Sequence, residues 1–481
     1  SCRQCGYRNQ CRYAQFLKQA SATRKFDFQI TNHNLLLTSQ RLKNSTGHGV
    51  LLDSNYYIID EAHQLLEAAN SVYGAEIMQN TIPDLLDSVK YASKDRHDRK
   101  QYRQLLTKTL EKNADVFRNI GLCLDDGEDR CTIELNERTI KDISGILENL
   151  RKIEEFQTDS RKKRECKIVM EQLSMFTHPG DYLCWMELDR GNGMLSLCGV
   201  PTAMRGELNR NLWSMPNTHW VLTSGTMKDD TGFRYFKYEL GISGNIPEGA
   251  TLEHCNGSPF DYKNHTRLYI SENVPFPDMD DPEYIQAVCD EIVKLVHATR
   301  GHTAILFTSY RMLRMVYEKV KNRLLDYRLI QMTRSDKTAI AQFKREKNSV
   351  LFASGSMWEG VDCAGDVLSC VIIVRLPFPL RSQLMEYKKT QYDTVREFVQ
   401  ECAIPQMIIK LRQGAGRLIR TENDTGVIAI LDSRAAKNGP YRERVLTALS
   451  QYPLTPSIYG VEQFISAVKG TEYLEGGRAS A

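Results

Sequence analysis

Six short runs of aliphatic, β-branched and aromatic residues, each leading straight into a cluster of small, hydroxyl or acidic residues, constrain this 481-residue chain more than any other feature. They are Tyr56 to Ile59 before Asp60-Glu61-Ala62-His63, Trp220 to Leu222 before Thr223-Ser224-Gly225-Thr226, and Ala304 to Phe307 before Thr308-Ser309-Tyr310. The others are Val350 to Phe352 before Ala353 to Asp362, Val371 to Val374 before Arg375-Leu376-Pro377-Phe378-Pro379, and Val427 to Leu431 before Asp432-Ser433-Arg434. Apolar runs without alternation are the mark of strands buried on both faces, as in parallel sheets covered by helices. The fold class that follows is α/β. Ligands of such sheets bind beyond the carboxyl ends of the strands, so the polar clusters are where chemistry is expected.

Other classes are excluded on simple grounds. The longest apolar stretches, Cys370 to Val374 and Val427 to Leu431, are strand-sized, far short of the roughly 20 residues that cross a bilayer. No membrane association is expected. The chain opens at Ser1 without an initiator Met, an apolar signal core or an Arg/Ser-rich transit pattern, which points to a cytoplasmic setting. Thirteen cysteines, an odd number over a long chain, argue against a secreted disulfide framework and for free thiols plus one metal site. With 41% hydrophobic residues, the chain can build more than one core, and its length fits about three domains at roughly 150 residues each.

The net charge of +3 is unevenly spread: residues 1 to 50 hold eight Lys/Arg against the single acid Asp27, leaving the head at +7 and the rest at −4. Aromatics at Tyr7, Tyr13, Phe16, Phe26 and Phe28 sit among them. Such a head suits a polyanion such as nucleic acid, whose phosphates release counterions to Lys and Arg; an ordinary solvated face would have the same composition.

From about residue 75 to 200 the sequence turns rich in Leu, Lys, Glu and Arg. Leu85, Leu86 and Val89, then Leu105, Leu106 and Leu110, then Ile143, Ile146, Leu147 and Leu150 recur at helical spacing, which predicts a mostly helical insertion. Tyr182 to Met186 and Met194 to Cys198 around Gly191-Asn192-Gly193 predict a hairpin. Glycines and prolines between 245 and 260 mark a linker into a second α/β unit.

Two clusters carry the strongest chemistry. In Asp60-Glu61-Ala62-His63, adjacent carboxylates at a strand end suit one acid, Asp60, on Mg²⁺ and the next, Glu61, on an attacking water; a helix start with two acids at its positive end would look alike. In Gln413-Gly414-Ala415-Gly416-Arg417-Leu418-Ile419-Arg420, the residues Gln413, Gly416, Arg417 and Arg420 fall on one helical stripe, with Pro405 placed to open that helix. Arg neutralises charge on a departing γ-phosphoryl group. Weaker signals are Gly355 to Asp362, with glycines around an aromatic and two acids, and the turn Ser224-Gly225-Thr226.

Taken in order, Thr31-Asn32-His33, Asp60 to His63, Thr223 to Thr226, Ser258-Pro259-Phe260, Phe307 to Tyr310, Trp358 to Asp362, Arg375 to Phe378 and Gln413 to Arg420 resemble the motifs of superfamily 2 DNA helicases of the XPD/DinG type, bacterial DinG-like enzymes above all. The resemblance covers residue 1 to about 450. It implies two RecA-like parallel-sheet motor lobes, the first incomplete, and an arch-like insertion: 1–25 as the remnant of an iron–sulfur segment, 26–75 and 200–245 as lobe 1, 76–199 as the insertion, and 246–481 as lobe 2. It implies an ATP-dependent DNA helicase moving 5′ to 3′ on single-stranded or forked DNA, a DNA-repair type of activity, acting as a monomer with a single-strand-binding protein as candidate partner.

The site residues it implies are Asp60 on Mg²⁺ and Glu61 as base, with Gln413, Arg417 and Arg420 reaching ATP from the second lobe. His63, Glu359, Gly360 and Asp362 would line the nucleotide site, and Ser224 and Thr226 would couple hydrolysis to movement. Asn32, His33, Ser309 and Tyr310, with Arg3, Arg8 and Arg12 of the basic head, would lie on the DNA side. Cys2, Cys5 and Cys11 look like three of the four thiolates of a [4Fe–4S] cluster, the fourth being expected upstream. No G-x-x-x-x-G-K-[ST] loop is present, so nothing supplies the backbone cradle and Lys that hold ATP phosphates; the family keeps that loop upstream. The expectation is a fragment that does not turn over ATP alone. An RNA-directed motor with the same Asp-Glu-Ala-His box, and a non-hydrolysing nucleic-acid-binding scaffold, are the competing readings.

Overall fold

The computed structural model describes residues 6–7, 9–20, 27–89, 96–123, 130–178, 180–189, 191–229, 232–247, 249–332, 338–355, 363 and 365–475. The chain divides into two compact units: 1–224 with 236–251 and 381–390, and 225–235 with 252–380 and 391–481. The described strands of the first are β1 (Tyr56–Ile59), β2 (Ala75–Met78), β3 (Arg130–Thr132), β4 (Tyr182–Asp189), β5 (Met194–Pro201) and β6 (His219–Leu222). Those of the second are β7 (Thr266–Ile270), β8 (Thr303–Phe307), β9 (Arg328–Gln331), β10 (Ser349–Ser354), β11 (Cys370–Ile373), β12 (Gly426–Ile430) and β13 (Leu454–Thr455).

In the second unit all seven strands join one parallel sheet in the order β13-β7-β12-β11-β8-β10-β9. Every residue of β8, β10, β11 and β12 is buried, as their unbroken apolar runs predict. Alternation sends Ala304 and Leu306 to one face and Ile305 and Phe307 to the other. The helices Thr338–Arg345, Ile404–Ala415 and Arg442–Ala448 cover the first face, and Pro282–Ala298, Tyr310–Val320 and Ile458–Val468 the second. The helix Pro282–Ala298 shows how the sequence sets this up. Asp281 caps its amino end by accepting from Glu283 N at 2.9 Å, Pro282 occupies the first turn, and Ile285, Val288, Cys289, Ile292 and Val296 are buried. Phe343 and Phe352 are fully buried; truncating either to Ala removes about 3–5 kcal/mol.

In the first unit β1 and β6 pair in parallel, Tyr56 against His219 through Ile59 against Leu222. Here the expectation of burial on both faces needs correcting. Tyr57 is half-buried and its hydroxyl accepts from Gln40 of the helix His33–Thr46 at 3.2 Å, but Tyr56, Ile58 and Val221 are 73%, 72% and 54% exposed. Strand side chains alternate between faces, and among the described residues only one face of this two-stranded sheet has a helix over it.

The insertion builds its own core. The expected hairpin is present, β4 against β5 from Tyr182–Pro201 to Asp189–Met194, and it recruits β2 and β3 into an antiparallel sheet of order β2-β5-β4-β3. Helices Arg96–Gly121, Glu137–Glu155 and Ser160–Ser174 pack on it through Val116, Phe117, Ile143, Ile146, Leu150, Cys166 and Leu173. Gly199 in β5 lets Phe176 cross the strand, since a Cβ there would lie 2.8 Å from the Phe176 ring.

Candidate active site

The parallel pairing of β1 and β6 brings their carboxyl ends side by side, and with them two of the clusters read from the sequence. Thr223 N donates to Ile59 O at 2.9 Å and Ala62 N to Thr223 O at 3.0 Å, so the ladder runs past the strands and fixes the register of the two clusters. The Thr223 hydroxyl lies 3.4 Å from Asp60 Oδ1. Ser224 Oγ donates to Glu61 Oε2 at 3.3 Å and sits 2.7 Å from His63 Nδ1, which is itself 3.3 Å from Glu61 Oε2. A proton on His63 Nδ1, donated to Ser224, satisfies all of these contacts. The His63 side chain is largely buried and that of Glu61 is 58% exposed, so the Glu61 carboxylate is held from behind while it meets solvent. Glu61 has φ +47° and ψ +46°, the left-handed region that a residue with a Cβ rarely occupies unless its surroundings impose it. His33 Nε2 is hydrogen-bonded to Asp60 O at 2.8 Å, and Asn32 caps the helix His33–Thr46 by accepting from Leu35 N at 2.8 Å. Of the two residues assigned to the nucleic-acid side, His33 thus also braces the end of β1, while Asn32 caps its own helix.

Inside the second unit, Gln413 is buried in the last turn of the helix Ile404–Ala415 and donates from Nε2 to Thr226 Oγ1 at 3.3 Å. Pro405 stands in the first turn, as expected, but the helical run begins earlier. Proline has no N–H to donate and crowds the turn before it; that turn, Val399–Ala403, is wound as π-helix. Arg412, which the sequence did not single out, donates from Nε to Ala448 O at 3.0 Å and from Nη1 to the carbonyl of Lys228.

The single helical stripe expected for Gln413, Gly416, Arg417 and Arg420 is corrected by the structure. The helix stops at Ala415 with Gly416 as its cap; Arg417 N and Leu418 N turn back to Gly414 O and Ala415 O at 3.3 and 3.2 Å. Leu418 and Ile419 beyond the turn are both essentially buried. Asp424 fixes the far end of the turn. Its carboxylate accepts from Arg420 N at 2.7 Å, Thr421 N at 2.8 Å, Thr421 Oγ1 at 2.8 Å and Gly365 N at 2.9 Å. Burial alone would raise this carboxyl, but the Thr421 hydroxyl and the three amides outweigh it and hold it below the ordinary carboxylate range.

Glu359, Gly360 and Asp362, with Trp358, lie outside the described residues, as do Cys2, Cys5, Arg3 and Arg8. Cys11 is a half-buried free thiol just before the helix Arg12–Ala20, where Arg12 is exposed. Ser309 caps the helix Tyr310–Val320 by accepting from Met312 N at 3.2 Å, and the Tyr310 hydroxyl reaches Ser354 O at 3.5 Å. A further polar cluster is structural: buried Asp432 accepts from Leu376 N at 2.7 Å and grips Arg434 through Nε at 2.9 Å and Nη2 at 2.7 Å, tying the ends of β11 and β12 together. Among the described residues no group of three or more His, Cys, Asp or Glu is placed to hold a metal ion. An exposed Asp60 with one oxygen near Thr223 suits Mg²⁺, which takes one or two carboxylates and fills its other positions with phosphate and water oxygens. No helix among the described residues is long and apolar enough to cross a membrane.

Residues 292–452 match the helicase C-terminal domain family. The chain is 29% identical to the ATP-dependent DNA helicase YoaA of Haemophilus influenzae over 93% of its own length and 70% of that protein. It is 25% identical to the 3′-5′ exonuclease DinG of Bacillus subtilis, over 88% of this chain and 51% of that one. A solved XPD helicase structure superposes with a TM-score of 0.56 at 18% identity, covering 88% of this chain and 72% of the other, and the Xpd4 structure from S. tokodaii also gives 0.56, at 17% identity over 87% and 80%. The XPD likeness is one of fold; with the sequence relatives and the matched domain, it bears out the resemblance to XPD/DinG-type superfamily 2 helicases.

Proposed function

We propose that this chain is the catalytic and arginine-bearing part of an ATP-dependent DNA helicase that moves 5′ to 3′ on single-stranded DNA. The observation that supports this best is the Ser224 hydroxyl within reach of both Glu61 and His63, which joins a candidate base to the segment leading to Thr226. In this reading Glu61 takes the proton of the attacking water, its carboxylate oriented by Ser224 and His63. Asp60 holds Mg²⁺, which supplies charge neutralisation at the phosphates when bound. Gln413, Arg417 and Arg420 face the triphosphate, with Glu359, Gly360 and Asp362 nearby. Asn32, His33, Ser309, Tyr310, Arg3, Arg8 and Arg12 serve the DNA side, and Cys2, Cys5 and Cys11 supply three thiolates to an iron–sulfur cluster. The protein acts in the cytoplasm as a monomer, with a single-strand-binding protein as its candidate partner. Because these residues include no phosphate-cradling G-x-x-x-x-G-K-[ST] loop, they do not turn over ATP by themselves.

The test is DNA-stimulated ATP hydrolysis by this chain, by a longer polypeptide that joins it to such a loop, and by Glu61→Gln of the longer form. We expect turnover only in the longer wild type, with Glu61→Gln lower by about 10²–10⁴-fold. Turnover by the 481-residue chain that Glu61→Gln abolishes would show that a phosphate site exists within it. Equal stimulation by RNA and DNA would overturn the DNA assignment.

A further inference from the structure

A concentration of positive charge that the candidate site leaves unused lies on the insertion. Arg99, Lys100, Arg103 and Lys108 are exposed on the helix Arg96–Gly121, where with Gln104, Thr107 and one exposed acid, Glu111, they line a shallow groove. Among the described residues none of these four basic side chains is paired with an acid. The fold adds to them. Tyr102 packs edge-on to Phe156 with ring centres 5.6 Å apart and accepts from Gln157 Nε2 at 3.3 Å. The amino end of the first helix therefore meets the turn into the helix Ser160–Ser174. That second segment, residues 151–167, carries seven basic residues against four acids, and residues 96–108 carry five against one. Together they reach +7, matching the N-terminal head in a chain whose net charge is only +3. Arg161 and Lys162 are partly neutralised by Glu165, and Lys167 by Glu154.

We propose that this end of the insertion is a second nucleic-acid contact, one that holds the phosphate backbone without reading bases. Apart from Glu111 at one end, the groove offers Arg, Lys, Gln and Thr, the side chains that grip phosphate oxygens. It offers none of the aromatic anchors on which a protein partner's interface core depends. From Arg99 to Lys108 the helix rises about 13.5 Å, enough to follow several phosphates of one strand. The proposal rests on the DNA-binding reading but concerns a surface apart from Asp60, Glu61 and Ser224.

The experiment measures binding of labelled single-stranded DNA to the whole chain by anisotropy over a range of salt, beside the triple variant R99Q/K100Q/R103Q and the pair K163Q/R164Q. These residues are exposed or half-exposed, and circular dichroism melting confirms that the variants stay folded. Each lost contact lowers the slope of log affinity against log salt by about 0.7, so the triple variant should lose roughly 2 units of slope and at least about tenfold in affinity at low salt. Unchanged slope and affinity in both variants overturn the proposal and leave the helicase reading standing. A wild type that binds no DNA overturns both. Variants that lose binding of polyglutamate while keeping that of DNA would assign the surface to an acidic protein instead, and the proposal would fail.

Discussion

His63 Nδ1 and Ser224 Oγ lie 2.7 Å apart although 161 positions separate them in the chain. The whole insertion lies between the two halves of this contact in the sequence, so the site is assembled only when β6 has paired with β1. Long-range pairing of this kind is slow to form, and it makes the contact a sensitive report on whether the first unit is native.

Replacing Ser224 with Ala removes a donor to Glu61 and a partner for His63 while leaving the backbone ladder through Thr223 intact. In the loop-bearing polypeptide kcat should drop about tenfold, the equivalent of one such hydrogen bond at about 1.4 kcal/mol, with KM for ATP unchanged. His63→Ala should do much the same. Because both act on one carboxylate, the double variant should lose clearly less than the product of the two; full additivity in steady-state assays would separate them.

Asp424→Ala leaves the amides of Arg420, Thr421 and Gly365 without their acceptor. Each buried unsatisfied donor costs about 1–3 kcal/mol, so the second unit should melt several degrees lower, and hydrogen exchange should quicken at 365 and 420–421 before it does in β11. Asp424→Asn, which keeps one acceptor oxygen, should fall between. Exchange unchanged at Gly365 would mean that Asp424 does not hold that loop.

His302 gives a pH dependence. It is half-buried against Tyr473 with ring centres 4.3 Å apart and bonded to Asn348 Oδ1 at 2.8 Å; partial burial lowers its basicity despite that bond. The unfolded chain then takes up a proton near the ordinary histidine value of about 6.5, before the folded one does. Stability is therefore full above that value and falls with acidification toward the depressed folded value. Melting midpoints from pH 7.5 to 5 should decline in the wild type and decline less in His302→Gln; identical profiles would remove His302 as a source.

Much of this was legible from sequence, and for a physical reason. Unbroken apolar runs such as Val350 to Phe352 and Val427 to Leu431 are best satisfied between two helical layers, and β10 and β12 are there. Tyr56 and Ile58 misled because the same pattern says nothing about whether a second layer exists. The turn at Gly416 was illegible because helical spacing continues through it. β2 and β3 were too short to show a period, and the basic end of the insertion appears only once residues 50 positions apart are folded together.

Glu61 also bears on what a sequence for this backbone should contain. Its left-handed conformation favours Gly or Asn by about 1 kcal/mol or more, so a chain optimised for fold alone would not place glutamate there. We expect Glu61→Gly to raise the melting temperature of the first unit by a few degrees while removing the base; a lower melting point would show that the Ser224 and His63 contacts outweigh the strain. Within the four-residue cluster, local preference and chemistry point in opposite directions at this one position, which makes it the place where selection for activity can be told from selection for stability.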